Sequence, residues 1–236
     1  MAVIQWISGT DVRWRFAMTR FLDRADAGRQ LAALLRKRGL EGGVVLGIPR
    51  GGVPVALEVA RALGAELGVV VARKLRAPYQ PELAVGAVTA DGGLWVNERL
   101  AAEVGADAKY LAEEQERQVR EARRREEEFD GGRRPVVEGR TVIVVDDGIA
   151  TGATAIAALR AMRTRGAGKV ILAIPVGPPD TVQAMRAEAD DVICLACEAD
   201  FHAVGQFYVD FRLNERSGDG FFGYVMEQSR ANVPFA

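Results

Sequence analysis

Histidine and cysteine are nearly absent from this chain, with one histidine and two cysteines in 236 residues. One histidine cannot build a multi-histidine metal cage, and two cysteines cannot form a disulfide framework. There is no excess charge of either sign: 31 Lys and Arg stand against 32 Asp and Glu, for a formal net charge of -1. That balance argues against nucleic acid or an anionic membrane surface as the main partner. Long hydrophobic runs are missing too. The apolar stretches, such as residues 68–72, are strand-sized and far short of the roughly 20 residues that span a bilayer. The first residues have no basic segment followed by a continuous apolar core, so no secretory signal is expected and a cytoplasmic location is. What the chain has is a 49% hydrophobic content, ample for a globular core, and 26 glycines. With these absences the chemistry must rest on carboxylates, hydroxyls, Arg, Lys and backbone. Glycine draws attention because it lets backbone amides approach a ligand closely.

From Phe21 onward the pattern is regular. Asp23 or Asp26 can cap a helix carrying Leu31, Leu34 and Leu35 at helical spacing and ending near Gly39. Strand-like runs follow at 43–49, 67–73, 83–89, 141–145, 169–176 and 191–196, with helix-like stretches after several of them. Buried strands alternating with helices predict an α/β fold with a mostly parallel sheet flanked by helices. No repeat or Pro/Gly-rich linker divides the chain. The expected organisation is an N-terminal extension over 1–17 and one domain over 18–236. Residues 107–129 read as a charged helix with Glu113 and Arg117, Glu116 and Arg120, and Glu121 and Arg125 as Glu-before-Arg pairs and a mostly solvated face. In the extension, Val12, Trp14 and Phe16 alternate with Arg13 and Arg15 like an edge strand. An upstream start codon and a functional arm remain equal explanations for it.

The segment that carries chemistry is VIVVDDGIATGAT, residues 142–154. Four apolar strand residues run into two adjacent carboxylates, Asp146 and Asp147, then a loop with two glycines and two threonines, then a helix. At the carboxyl end of a parallel strand a ligand meets the N-terminus of the next helix, whose free N–H groups and dipole favour a phosphate. Gly148 and Gly152 let amides close around an anion, and Thr151 and Thr154 add hydroxyls. The carboxylates would repel that phosphate and fit better as acceptors for the vicinal hydroxyls of a ribose whose 5-phosphate sits in the loop.

This segment resembles the phosphoribosyl diphosphate (PRPP) signature of type I phosphoribosyltransferases, and the resemblance extends over roughly residues 21–211. It implies a type I phosphoribosyltransferase-like fold with a small variable cap from the terminal segments, for which residues 1–40 and 201–211 are candidates. It implies transfer of the 5-phosphoribosyl group from PRPP to a small nitrogenous acceptor, a nucleobase or related heterocycle, with release of pyrophosphate. Mg²⁺ would be carried mainly by the substrate's own oxygens, the setting would be nucleotide metabolism, and a homodimer is compatible. By the same resemblance Asp146, Asp147, Arg50 and Lys74 are the catalytic candidates. The loop Gly148, Ile149, Ala150, Thr151, Gly152, Ala153 and Thr154 would bind the 5-phosphate. The basic-glycine loop Arg50, Gly51 and Gly52, in GIPRGGVPVA, would hold the pyrophosphate with Arg73 and Lys74, and a cis peptide is expected near Arg50 and Gly51. Residues 75–96 occupy the place of a mobile flap, although a static hairpin would read the same. The sequence departs from the family at Ala150, where members acting on 6-oxopurines have an Asp that helps protonate the base. That argues against hypoxanthine or guanine and leaves the base-side acid unidentified.

Other signals carry less. GDGFFG at 218–223 matches GxGxxG but follows no strand and opens no βαβ unit, and the phosphate loop lacks the Lys of a Walker motif. Cys194 and Cys197 read as inert thiols sooner than a redox pair. His202 reads as a packing or surface residue, with an acceptor contact as the alternative. A regulator that binds PRPP or a nucleotide without turnover keeps the same loop and is the second reading. A phosphatase or kinase using the acid pair has no motif of its own.

Overall fold

The computed structural model describes residues 21–130 and 134–212. The proposed extension over 1–17 and the GDGFFG loop lie outside the described residues. Five short apolar strands form a parallel sheet: β1 (Val44–Gly47), β2 (Glu66–Val69), β6 (Thr141–Val145), β7 (Lys169–Gly177) and β8 (Asp191–Cys197). Their order is β2-β1-β6-β7-β8. The helices are α1 (Arg24–Lys37), α2 (Gly52–Leu63), α3 (Glu98–Glu103), α4 (Ala108–Asp130), α5 (Ala153–Thr164) and α6 (Pro179–Met185). The expected parallel α/β architecture is therefore present.

Helices cover both faces because the strands are apolar on both. In β6, Ile143 and Val145 join the core beneath α1 and α2, whereas Val142 and Val144 join the core beneath α5 and α6. This is the period of two that a strand imposes. Asp23, not Asp26, caps α1: its side chain accepts from the Asp26 N–H at 2.7 Å, and the Asp26 carboxylate accepts from the Leu22 N–H at 3.1 Å. Capping satisfies donors that the first helical turn leaves orphaned.

The run 67–73, read as one strand, divides between two sheets. β2 stops at Val69, and Ala72 opens β3 (Ala72–Ala77), which pairs antiparallel with β4 (Gln80–Thr89), itself paired with β5 (Leu94–Val96). The Val71 N–H is turned aside to the Glu126 carboxylate at 3.3 Å. The region anticipated as a flap is built of strands of a three-stranded sheet. Its β4–β5 turn is anchored, since a Cβ on Gly93 would lie 2.3 Å from the Ala157 carbonyl of α5, and Asp91 there pairs with Arg134 and Arg165. At the opposite end the β3–β4 turn projects into solvent, with Tyr79 fully exposed at its tip.

The charged helix is less solvated than its sequence predicts. Glu114, Gln118, Ala122, Glu126 and Phe129 form a buried stripe, whose first half lies along the small sheet while Ala122 and Phe129 join the core of the large sheet. Glu114 accepts from the Arg76 N–H of edge strand β3 at 3.1 Å and from the Gln118 amide at 3.0 Å. Carboxylates on this stripe satisfy backbone donors that an uncovered strand edge would leave exposed. Two of the three anticipated pairs form, Glu116 with Arg120 and Glu121 with Arg125, while Arg117 turns to Glu114 at 2.8 Å. Arg124 and Arg125 together hold the Glu121 carboxyl down at about 2.

Leu46 of β1, fully buried between the sheet and α5, reports on this packing. Truncating it to Ala should cost about 2–5 kcal/mol, read as a lower urea midpoint; a loss near zero would contradict the layered core.

Candidate functional site

In the sheet order, β1 leads away to β2 on one side and β6 to β7 on the other, so the topology reverses between β1 and β6. A crevice opens outside the carboxyl ends of strands at such a reversal, and ligands of open α/β sheets bind there. The two loops singled out in the sequence leave these two strands side by side. Gly47 is in register with Val145, and the Ile48 N–H donates to the Val145 carbonyl at 2.8 Å.

The loops touch closely. A Cβ on Gly51 would stand 2.0 Å from Asp147 Oδ2, and one on Gly52 would stand 2.6 Å from the Val145 carbonyl and 2.8 Å from Asp146 Cα. No side chain fits in either place, so glycine is demanded here by close approach. The peptide Pro49-Arg50 is cis, one residue earlier than expected. The Gly52 N–H is bonded to the Ile48 carbonyl at 3.0 Å, which leaves this glycine a packing part. Arg50 is exposed at the rim and has no side-chain partner among the described residues.

On the other side, the 148–154 loop feeds α5 through Gly152, whose φ of 75° is the left-handed conformation that suits glycine. The Thr181 hydroxyl of α6 donates to the Ala150 carbonyl at 2.8 Å and braces the loop from below. The Ile149 N–H donates to the Val176 carbonyl at 3.0 Å and its side chain is buried, so the structure turns Ile149 inward. Ala150 and Thr151 are exposed, Thr154 is half-buried, and Gly152 and Ala153 are buried. The loop thus presents two threonines next to the orphan N–H groups of the first turn of α5, groups that stabilise an anion.

Between the loops lies the acid pair. Asp146 Oδ1 accepts from the Asp147 N–H at 2.8 Å. Asp147 is buried and forms an ion pair with Arg24, whose Nε lies 2.8 Å from Oδ2. Burial pushes the Asp146 carboxyl well above the usual carboxylate range, and the neighbouring Asp147 charge adds to this. Burial raises Asp147 as well, but the Arg24 guanidinium opposes the shift. The negative charge of the pair is therefore best held on Asp147.

The basic candidates separate. Lys74 pairs across the small sheet with Ala87, so the two share a face, and Ala72 and Ala87 on that face pack on Ala153 and Ala157 of α5. Lys74 is exposed on the side of the phosphate loop. Arg73 lies on the other face, its Nε donating to Gln118 of α4 at 3.3 Å; burial and then Arg125 lower its pKa.

The terminal segments meet at the site. Phe21 bridges to Tyr208, and the Val209 and Asp210 N–H groups donate to the Phe21 and Leu22 carbonyls. The Tyr208 hydroxyl donates to the Asp147 carbonyl at 2.6 Å, and burial raises its pKa. Phe201 and Phe207 stack at 5.3 Å beside it. These aromatics, with Val204, form a hood beside the acids. His202 sits at its exposed edge, 3.0 Å from Asp200. Cys194 is raised by burial and then by the Cys197 charge, as suits an inert thiol. Sequence reasoning did not single out Arg24. The available signal was a cation in the first turn of a helix, directly after its cap, where the dipole disfavours positive charge.

A model of the phosphoribosyl transferase domain matches residues 19–212. The Mycobacterium tuberculosis protein named "Putative phosphoribosyl transferase Rv0571c" is 50% identical over 195 residues, 82% of this chain and 44% of that protein. The chain thus spans less than half the length of that curated relative. A uracil phosphoribosyltransferase of Lacticaseibacillus paracasei is 36% identical over 89 residues, covering 38% of this chain and 42% of its own. The crystal structure of TT1426 from Thermus thermophilus aligns with a TM-score of 0.74 at 43% identity, over 89% of this chain and 98% of that one.

Asp146→Asn keeps the Oδ1 acceptor for the Asp147 N–H while removing a titration. A carboxyl whose folded pKa is raised adds stability below the unfolded pKa and loses it as pH rises through the folded value. The variant should therefore gain on the wild type in urea unfolding as pH rises above the ordinary carboxylate range of about 4; parallel pH profiles would contradict a raised Asp146.

Proposed function

The chain belongs to the phosphoribosyl transferase family, and on that premise we propose that it transfers the 5-phosphoribosyl group of PRPP to a nitrogen acceptor and releases pyrophosphate. One observation carries the reading: the loop that opens α5 and a second glycine loop meet at the sheet's reversal with an acid pair between them. That order matches the order of charges along PRPP, phosphate, then ribose hydroxyls, then pyrophosphate.

In this reading the N–H groups of Ala150–Thr154 and the Thr151 and Thr154 hydroxyls hold the 5-phosphate. Each charge-assisted hydrogen bond contributes about 1.5–3 kcal/mol, so three or four make a firm anchor. Asp146, half-buried at the mouth of the crevice, accepts from the ribose hydroxyls. Arg50, the Gly51 N–H and Lys74 meet the charge that develops on pyrophosphate as its bond to C1 breaks and the acceptor nitrogen bonds to C1. No covalent protein intermediate is needed, and the rate comes from positioning and fixed charge. Arg73 is left a structural part, and Gly148, Ile149 and Ala153 shape the cradle by packing.

The described residues contain no group of three or more His, Cys, Asp or Glu side chains able to cage a cation. This donor set fits Mg²⁺ delivered with PRPP, held by substrate oxygens and water with Asp146 nearest to it, as suits a cation that keeps part of its hydration shell. Its chemistry would be to neutralise pyrophosphate charge. The acceptor lies under the hood against Val204, which is partly exposed beside Gly148 and packs over the buried Phe207 and Tyr208; its apolar surface suits a flat heterocycle. Ala150 offers that heterocycle no acid, which places hypoxanthine and guanine outside the proposed acceptors.

The test is pyrophosphate release from Mg²⁺ and PRPP against a panel of purines, pyrimidines including uracil, and pyridine bases. Release that depends on one base supports the transferase. PRPP binding without base-dependent release would point to a PRPP-sensing regulator instead, and absence of PRPP binding would overturn both. With the productive base, Lys74→Ala should lower the rate about a hundredfold with little change in stability; an unchanged rate would remove Lys74 from the mechanism.

A further inference from the structure

Arg24 lies where a cation should not be. It is 7% exposed, in the first turn of α1, where the helix dipole opposes its charge. Taking a guanidinium out of water is costly, and a buried ion pair is at best weakly stabilising compared with apolar residues of the same shape. Helix stability and core packing therefore do not account for it. Its contacts do. Nε donates to Asp147 Oδ2 at 2.8 Å and Nη1 donates to the Phe211 carbonyl at 2.8 Å. The guanidinium carbon stands 4.0 Å from the Phe211 ring centroid and 5.9 Å from that of Tyr208. Tyr208 in turn donates its hydroxyl to the Asp147 carbonyl. One planar fork, which Lys cannot reproduce, thus joins the start of α1, the second acid of the pair and the hood.

Asp147 is held at one carboxylate oxygen: Arg24 Nε donates to Oδ2, and Gly51 approaches that same oxygen so closely that no Cβ fits. Asp146 forms no ion pair among the described residues, and its Oδ1 accepts from the Asp147 N–H.

We propose that Arg24 is a positioning residue that pins Asp147 to the hood, so that the two acids divide their work: Asp146 alone receives the ribose hydroxyls, and Asp147 holds the hood segment 204–211 in place over the site. This rests on the PRPP reading above, and it assigns to the acid pair an asymmetry that the sequence does not display. A prediction of specificity follows: Arg24 and Asp147 behave as one unit, and Asp146 as another.

The experiment has two readouts on the full chain. Without ligand, hydrogen exchange of the 204–211 amides is compared in wild type, Arg24→Gln, Asp147→Asn and Asp146→Asn. With ligand, Mg²⁺-PRPP affinity is measured by calorimetry in the same set, in Arg24→Lys and in the Arg24→Gln/Asp147→Asn double variant. Hood protection should fall in the first two variants and stay in Asp146→Asn. Arg24→Gln should weaken PRPP binding about tenfold, the loss of one charge-assisted contact. The double variant should bind no worse than Asp147→Asn alone, and Arg24→Lys should recover part of the loss because it restores the charge without the fork. Additive losses, or unchanged hood protection in Arg24→Gln, would overturn the assignment. If Arg24→Gln does not fold, Arg24→Lys carries the hydrogen-exchange comparison, and wild-type protection there would equally overturn it. Should the wild type fail to bind PRPP while hood protection responds as stated, the transferase reading falls and the tie between Arg24, Asp147 and the hood stands.

Discussion

The contact on which the site depends is the close approach of two loops, one leaving β1 and one leaving β6. Asp147 lies against Gly51, and the backbone of Asp146 against Gly52, with no room for a β-carbon in either place. This contact follows from the parallel pairing of β1 with β6, which ends both strands at the same level, and from the reversal of sheet order that keeps the crevice between them clear. Everything proposed for the ligand, a phosphate on one loop and pyrophosphate on the other with ribose between, uses the separation that this contact sets.

Much of the framework was legible because it rests on local rules. The strands of the large sheet are short β-branched runs, and the DDGIATGAT segment announces an anion site by placing acids, glycines and hydroxyls at a strand-to-helix junction. Other features depend on long-range contacts that a linear reading does not contain. The run through Val69 to Arg73 has uniform strand character, yet it changes sheets because Val71 is drawn to Glu126, 55 residues away in sequence. Arg73 and Lys74 are adjacent cations in sequence, and only the antiparallel register with β4 sends one toward α4 and the other toward α5.

The long charged helix shows the same limit. Its alternating Glu and Arg read as a solvated face, and half of it is. The other half uses Glu114 and Glu126 to satisfy backbone donors in the edge strand β3 and just before it, a role that depends on a partner strand rather than on composition. Arg24 is the sharpest case. Its buried partner Asp147 is 123 residues away, and the only local hint was a cation placed against a helix dipole. The near-zero net charge of the chain hides this arrangement, in which a cation without a partner among the described residues sits at the rim, in Arg50, and a paired one lies beneath the acids.

The most direct test of the account is a crystal structure of the protein with Mg²⁺ and PRPP. The account predicts the 5-phosphate on the Ala150–Thr154 loop, the ribose hydroxyls on Asp146, pyrophosphate beside Arg50 and Gly51, and Asp147 still bound to Arg24. PRPP located away from the β1–β6 crevice, or bound there with its pyrophosphate on the 150–154 loop, would contradict it.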